Sequence, residues 1–266
     1  MQNTPIEAPH LRLDRQGNIG FVIASNPARM NAFTAGMWKA VPEVLVQAEA
    51  DPAVRVIVLR GEGTRAFSAG ADISEFDSAR AGDATAAYDA LNEAAFRALS
   101  QCTKPTVAMI HGFCLGGGLA IALCTDIRLA DENAEFAIPA AKLGLGYNAR
   151  WVRPLLAAVA PAKAKEMLFT GRRFKAAEAQ TMGLVNAVVS AAELEARTLA
   201  LAEEIAANAP LTVRAAKRTI DELVRNPQTP DLAALDAAVA ACFKSEDYAE
   251  GRLAFKEKRK PRFQGR

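Results

Sequence analysis

The chain has 266 residues, 51% of them hydrophobic and 23% charged, which excludes a disordered, collagen-like or coiled-coil protein and fits one α/β domain with a helical appendage. Thirty-two Lys and Arg against 30 Asp and Glu leave a net charge of +2, too little for the dense positive field that nucleic-acid binding requires.

Leu11–Asp14 and Ile19–Ser25 read as strands joined by the turn Gln16-Gly17-Asn18. Thr34 is placed to cap a helix that runs to Ala50 and stops at Asp51-Pro52. Val54–Arg60 follows as a strand, Ala66–Ser68 as a short one, and Ala84–Gln101 as a helix. Thr106–Ile110 is expected as a strand, Leu115–Cys124 as a helix, and Asp126–Ala130 and Ala134–Ala137 as strands. Strand and helix thus alternate, as in α/β architecture. Beyond Trp151 the pattern turns helical, over Pro161–Thr170, Lys175–Met182, Ala191–Asn208, Pro210–Asn226 and Asp231–Lys244, with Val185–Val189 as one strand between.

The run from Pro105 to Cys124 is nearly free of charge and has about the length of a membrane helix. Its β-branched start, its glycine triplet and the Asp126 and Arg128 that follow identify a buried strand feeding a buried helix instead. Met1–Arg15 has prolines and acids but no apolar core flanked by basic residues, so it reads as neither a secretory signal nor an Arg-rich transit peptide, and the whole chain is expected to be the mature protein. Cys102, Cys114, Cys124 and Cys242 form no CxxC pair, and only His10 and His111 could join them. Neither a metal site nor a disulfide framework is expected, and a reduced cytoplasm fits.

Gly116-Gly117-Gly118 stands between a strand and an apolar helix. Such glycines either leave helix N-terminal N–H groups open to an anion or simply permit close packing. They form neither GxGxxG nor GxxxxGK[ST], so no dinucleotide or Walker site is indicated. Four further stretches accompany them: Phe67-Ser-Ala-Gly-Ala-Asp-Ile73, His111-Gly-Phe-Cys-Leu115 running into the triplet, Cys124-Thr-Asp-Ile-Arg128, and Thr170-Gly-Arg-Arg-Phe174 with Gly183-Leu-Val-Asn186.

In order and spacing these stretches resemble the enoyl-CoA hydratase/isomerase (crotonase) superfamily, from about Ile19 to the C-terminus. The resemblance implies an α/β fold, a crotonase-like spiral of ββα units over residues 1–190, and a C-terminal helical trimerisation region over residues 191–266. It implies an acyl-CoA thioester as substrate, with coenzyme A part of that substrate and no separate cofactor, and a homotrimer or hexamer as the assembly. It further implies an oxyanion hole, formed by the backbone N–H groups of Ala71 and Gly117, that holds the thioester oxygen as an enolate develops. Arg29, Met30 and Ala32 match the loop along the pantetheine and phosphates. Ala69, Asp72 and Ile73 match the backbone that frames the adenine. Phe255 and Lys258 match a C-terminal helix that reaches a neighbouring subunit's CoA.

The departures bear on the reaction. Hydratases of the family carry one glutamate where this chain has Ala120 and another where it has Ala140, and alanine can neither activate water nor protonate carbon. Dienoyl isomerases have an aspartate where Asn148 stands. Tyr147 matches a tyrosine of methylmalonyl-CoA decarboxylase-like members, in which loss of CO₂ itself generates the enolate, although those members have histidine where this chain has Ala71. Glu75 and Asp77, which follow the oxyanion loop, either point inward or face solvent, the latter being the preferred reading; His111 is read as a satisfied structural histidine, and Arg150 as either a clamp for a substrate carboxylate or a surface cap. The expected activity is therefore enolate chemistry on an acyl-CoA, with ordinary hydration doubtful. Decarboxylation, thioester hydrolysis and non-catalytic acyl-CoA binding remain as alternatives.

Overall fold

The computed structural model describes residues 8–75 and 84–266. Strands β1 (His10–Gln16) and β2 (Ile19–Ser25) form the expected antiparallel hairpin, with Gly17 at φ +58° in the turn. Thr34 caps α1 (Ala35–Ala50) as expected, its hydroxyl accepting the Met37 N–H at 3.2 Å. Then come β3 (Val56–Gly61), β4 (Ala66–Ser68), α2 (Ala84–Ser100), β5 (Thr106–Ile110), β6 (Phe113–Leu115) and α3 (Gly117–Ala122). Next are β7 (Ile127–Asp131), β8 (Glu135–Ala137), α4 (Ala149–Ala158), α5 (Pro161–Thr170), β9 (Phe174–Lys175), α6 (Ala176–Thr181) and β10 (Ala187–Val189). Four helices close the chain: α7 (Leu194–Ala206), α8 (Pro210–Arg225), α9 (Leu232–Lys244) and α10 (Glu246–Glu257).

One expectation fails locally. The helix expected over Leu115–Cys124 begins only at Gly117, and Phe113–Leu115 before it is a strand. The apolar run is continuous because both elements are buried, and periodicity alone does not divide such a run. Helix α4, which holds Pro154 in its interior, was not among the expected elements.

The strands sort into two sheets, one ordered β1-β2-β3-β5-β7-β10 and the other β4-β6-β8-β9. β3, β5 and β7 are parallel neighbours in the first sheet, while β4, β6 and β8, which follow them in the chain, are parallel neighbours in the second. Each turn of the chain therefore lays one strand on each sheet, which is the spiral of ββα units. The large sheet is buried on both faces. Val22, Ile57, Leu59, Ala108 and Ile110 look into the main core with α1 and α3, and Phe21, Ile23, Val58, Val107 and Met109 pack under α7. This period-2 division, with both sets apolar, accounts for the near-continuous apolar sequence of β2, β3 and β5.

Two of the sequence motifs fasten this frame. The Asp126 carboxylate accepts the Thr106 N–H at 2.8 Å and pairs with Lys217 of α8 at 2.8 Å. Buried Arg128 donates to the Leu184 and Thr125 carbonyls, both at 2.8 Å. His111 is the satisfied structural histidine expected, with Nδ1 2.8 Å from the Asp131 carboxylate. Among the described residues no helix is long and apolar enough to cross a membrane.

Candidate functional site

The site grows from three backbone segments brought together at one end of the spiral. The loop after β2 is pinned by Asn31, whose side chain accepts the Asn26 N–H and donates to the Glu62 and Ala66 carbonyls. Met30 and Asn31 there hold φ +51° and +54°, a left-handed conformation that such a set of bonds sustains. This loop is laced to the segment after β4 by three hydrogen bonds: Ala69 N–H to Met30 O at 2.9 Å, Phe33 N–H to Gly70 O at 2.7 Å, and Asp72 N–H to Phe33 O at 2.9 Å. Arg29, Met30 and Ala32 are thereby joined to Ala69, Ala71, Asp72 and Ile73.

The same lacing frees one group. Phe33 pairs with Ala71 as an isolated parallel bridge that uses the peptides on either side of Ala71, so the Ala71 N–H faces away from Phe33. The Ala71 nitrogen lies beside the start of α3. A methyl placed on Gly117 would lie 3.6 Å from the Ala71 nitrogen, and one on Gly70 would lie 3.2 Å from the Gly117 nitrogen. Gly117 is the first residue of the helix, where N–H groups have no intrahelical partner. Among the described residues neither the Ala71 nor the Gly117 N–H donates a hydrogen bond.

The glycines divide the two expected roles between them. Gly118 serves packing, because a methyl there would lie 2.6 Å from the Ser68 carbonyl oxygen. Gly70, at φ +100°, lies so close to the Leu115 carbonyl that a methyl would approach it to 2.8 Å. Gly117 lies under Trp38, whose ring would be 3.1 Å from an added methyl. Trp38 was not singled out in the sequence, although its place in the apolar stripe of α1 marked it as core.

Trp38 also begins a ladder of rings. It stacks on Phe33 with centroids 4.4 Å apart and meets Phe96 edge-on at 5.5 Å, Phe96 meets Trp151 at 6.2 Å, and Trp151 meets Tyr147 at 5.5 Å. The ladder links the bridge partner of Ala71 to Tyr147. The Tyr147 hydroxyl is buried with no hydrogen-bond partner among the described residues, and burial pushes its phenol well above the usual range. It therefore stays protonated, a donor without an acceptor.

Ala120 and Ala140 are 5% and 8% exposed. Ala120 lies on α3, its N–H bonded to the Gly116 carbonyl, and Ala140 lies in the 3-10 turn Pro139–Leu143. Pro139 is in contact range of Gly116, where an added methyl would stand 4.0 Å from its ring. Both alanines thus adjoin the glycine triplet. Ala32 is buried and its N–H and carbonyl are both bonded within the loop, so it offers only apolar contact. Phe255 and Lys258 are not brought to this cluster. They lie at the C-terminal end of α10, with Phe255 87% exposed.

Three polar candidates take other places. The Glu75 carboxylate accepts the Ala35 N–H at 2.8 Å at the start of α1, so it is not the solvent-facing acid expected. Arg150 pairs closely with Glu93 of α2, and Asn148 caps α4 by accepting the Arg150 N–H at 3.0 Å. Asp77 lies outside the described residues.

Asp72 is 5% exposed as a side chain. Burial pushes its carboxyl up, but the Ser74 hydroxyl and N–H, at 2.7 and 3.0 Å, together with Arg29 at 3.5 Å outweigh that and hold it below the ordinary 3.8. A carboxyl lowered in the folded state stabilises the fold above its ordinary value and loses that contribution as pH falls through the lower folded value. Thermal melts of Asp72→Asn should accordingly show a shallower loss of Tm than the parent chain as pH falls below about 4. An unchanged slope would mean that Asp72 does not brace this loop.

Comparison with known proteins agrees with this architecture. The enoyl-CoA hydratase/isomerase family model matches residues 14–266. A short-chain-enoyl-CoA hydratase from Clostridium acetobutylicum is 34% identical, with 96% of this chain and 97% of that protein covered. A carnitinyl-CoA dehydratase from Proteus mirabilis is 36% identical over 96% and 98%. Among solved structures, an enoyl-CoA hydratase/carnithine racemase from Magnetospirillum magneticum superimposes with a TM-score of 0.90 at 38% identity, covering 96% of each chain. A putative family member from Hyphomonas neptunium reaches 0.92 at 38%, covering 96% of this chain and 98% of that one. With its spiral core and its motifs in register, the chain belongs to the enoyl-CoA hydratase/isomerase family, the crotonase superfamily.

Proposed function

We propose that the protein is an acyl-CoA enzyme that holds a thioester oxygen between the N–H groups of Ala71 and Gly117 and stabilises the enolate formed there. The observation that carries this reading is the closeness of two unspent amides, one from the loop after β4 and one from the start of α3. Donors fixed by the backbone need no reorganisation as charge grows on the oxygen, which is why such pairs lower barriers to enolate formation. Relatives named for hydrating or dehydrating acyl-CoA thioesters support the same substrate class.

The reaction need not be the relatives' own. Ala120 and Ala140 offer no carboxylate beside the amide pair, so glutamate-driven hydration is the reaction least suited to this site. Decarboxylation of an α-carboxyacyl-CoA needs no base in its first step. The bond to the carboxylate breaks, its electron pair passes into the thioester as the enolate, CO₂ departs, and the α-carbon then takes up a proton. Tyr147, neutral and buried without an acceptor, is suited to donate a hydrogen bond to the acyl portion.

In this reading Arg29, Met30 and Ala32 line the pantetheine, and Ala69, Asp72 and Ile73 frame the adenine. The N–H groups of Ala69 and Asp72 are already bonded, and the Asp72 carbonyl accepts from Glu75. The group these two residues still offer on the backbone is the Ala69 carbonyl. Phe255 and Lys258 reach the CoA of a neighbouring subunit in a cytoplasmic homotrimer or hexamer, consistent with the exposure of Phe255.

Crotonyl-CoA hydration assayed beside malonyl- and methylmalonyl-CoA decarboxylation tests the reading. Decarboxylation exceeding hydration is the expected result. Brisk hydration would contradict the argument from Ala120 and Ala140. Inertness toward all three with CoA binding retained would replace the enzyme by a binding protein.

A further inference from the structure

A cavity of about 720 Å³ lies between α2, α4 and α8, and Ala71, Gly117, Ala120, Ala140 and Tyr147 are not among its lining residues. Its volume falls within the usual range for small-molecule sites. Phe96, Leu123, Trp151, Val213 and Val224 give it apolar walls. Its charges are unbalanced. Arg97, Arg128, Arg150, Arg153, Lys217 and Arg225 line it against only Glu93, Asp126 and Asp221, six cations to three anions.

The cations differ in how far they are already committed. Lys217 is held by Asp126 and the Lys104 carbonyl, Arg225 by Asp221 and the Ser100 carbonyl, and Arg150 by Glu93. Arg97 is exposed, and among the described residues its guanidinium has no hydrogen bond or ion pair. An apolar chamber with surplus positive charge and one uncommitted guanidinium suits a ligand with a hydrocarbon body and a single anionic head, because a guanidinium meets a carboxylate with two parallel hydrogen bonds.

We propose that this cavity binds a medium-chain carboxylate, with the chain against Phe96 and Trp151 and the carboxylate on Arg97. The proposal depends on neither the amide pair nor the thioester. Trp151 is one of only two tryptophans in the chain and lines the cavity, so it reports occupancy directly.

Titration of the full chain with decanoate, followed by tryptophan emission, should give a saturable change that disappears in Trp151→Phe. Decan-1-ol, which has the chain without the charge, should bind about ten-fold more weakly, and Arg97→Gln should weaken decanoate by a similar factor. Equal binding of decanoate and decanol, an unaffected Arg97→Gln, or a signal that survives Trp151→Phe would overturn the assignment. So would emission that changes on dilution of the protein but not with decanoate, since a second copy of the chain would then be the occupant.

Discussion

Gly117→Pro is expected to lower turnover of the preferred acyl-CoA by about 10²–10³-fold, the cost of deleting one oxyanion donor. Gly117 is the first residue of α3, a position where proline is tolerated because the N–H it removes has no helical partner. The nearby Trp38 ring would feel the new side chain, so Gly117→Ala is the necessary companion: it adds the same Cβ toward Trp38 and keeps the donor. Turnover measured in both variants separates the two effects. If alanine and proline are equally damaging, crowding against Trp38 explains the loss and the amide is not a donor to substrate.

The second large effect is a gain. Placing carboxylates back with Ala120→Glu and Ala140→Glu together should raise crotonyl-CoA hydration by about 10²-fold or more, the usual contribution of positioned acid–base groups. Both positions are buried beside the glycine triplet, so circular dichroism should accompany the assay to establish that the variant folds. No gain in a folded double variant would mean that the pocket differs from hydratases by more than two side chains. Rapid hydration by the parent chain would mean that the missing acids were never needed.

Much of the frame was legible because local chemistry and tertiary structure agree there. Thr34 caps its helix, Gly17 turns its hairpin, and β5 is apolar on both faces because both faces are covered. The division between β6 and α3 was hidden, since Phe113–Ala122 is apolar throughout and only the sheet decides where extension stops. The motifs around Ala71 and Gly117 were readable by their resemblance to a family. Their adjacency was not, because it depends on the pairing of β4 with β6, strands more than 40 residues apart in sequence. Glu75 was misjudged for the same reason: its partner, the Ala35 N–H, is a neighbour only after folding. Asn31, which holds the first loop through three bonds, gave no local signal, because its partners in Asn26, Glu62 and Ala66 meet it only after folding.

Spectrophotometric pH titration of bound acetoacetyl-CoA tests the amide pair most directly, because the enolate of this ligand can be followed without any turnover. Bound to the parent chain, the ligand should ionise at a pH lower by about 2 units than in free solution, matching the free energy of an oxyanion donor, and this shift should shrink in Gly117→Pro but persist in Gly117→Ala. Ionisation at the same pH bound and free, or a shift indifferent to loss of the Gly117 N–H, would contradict the account.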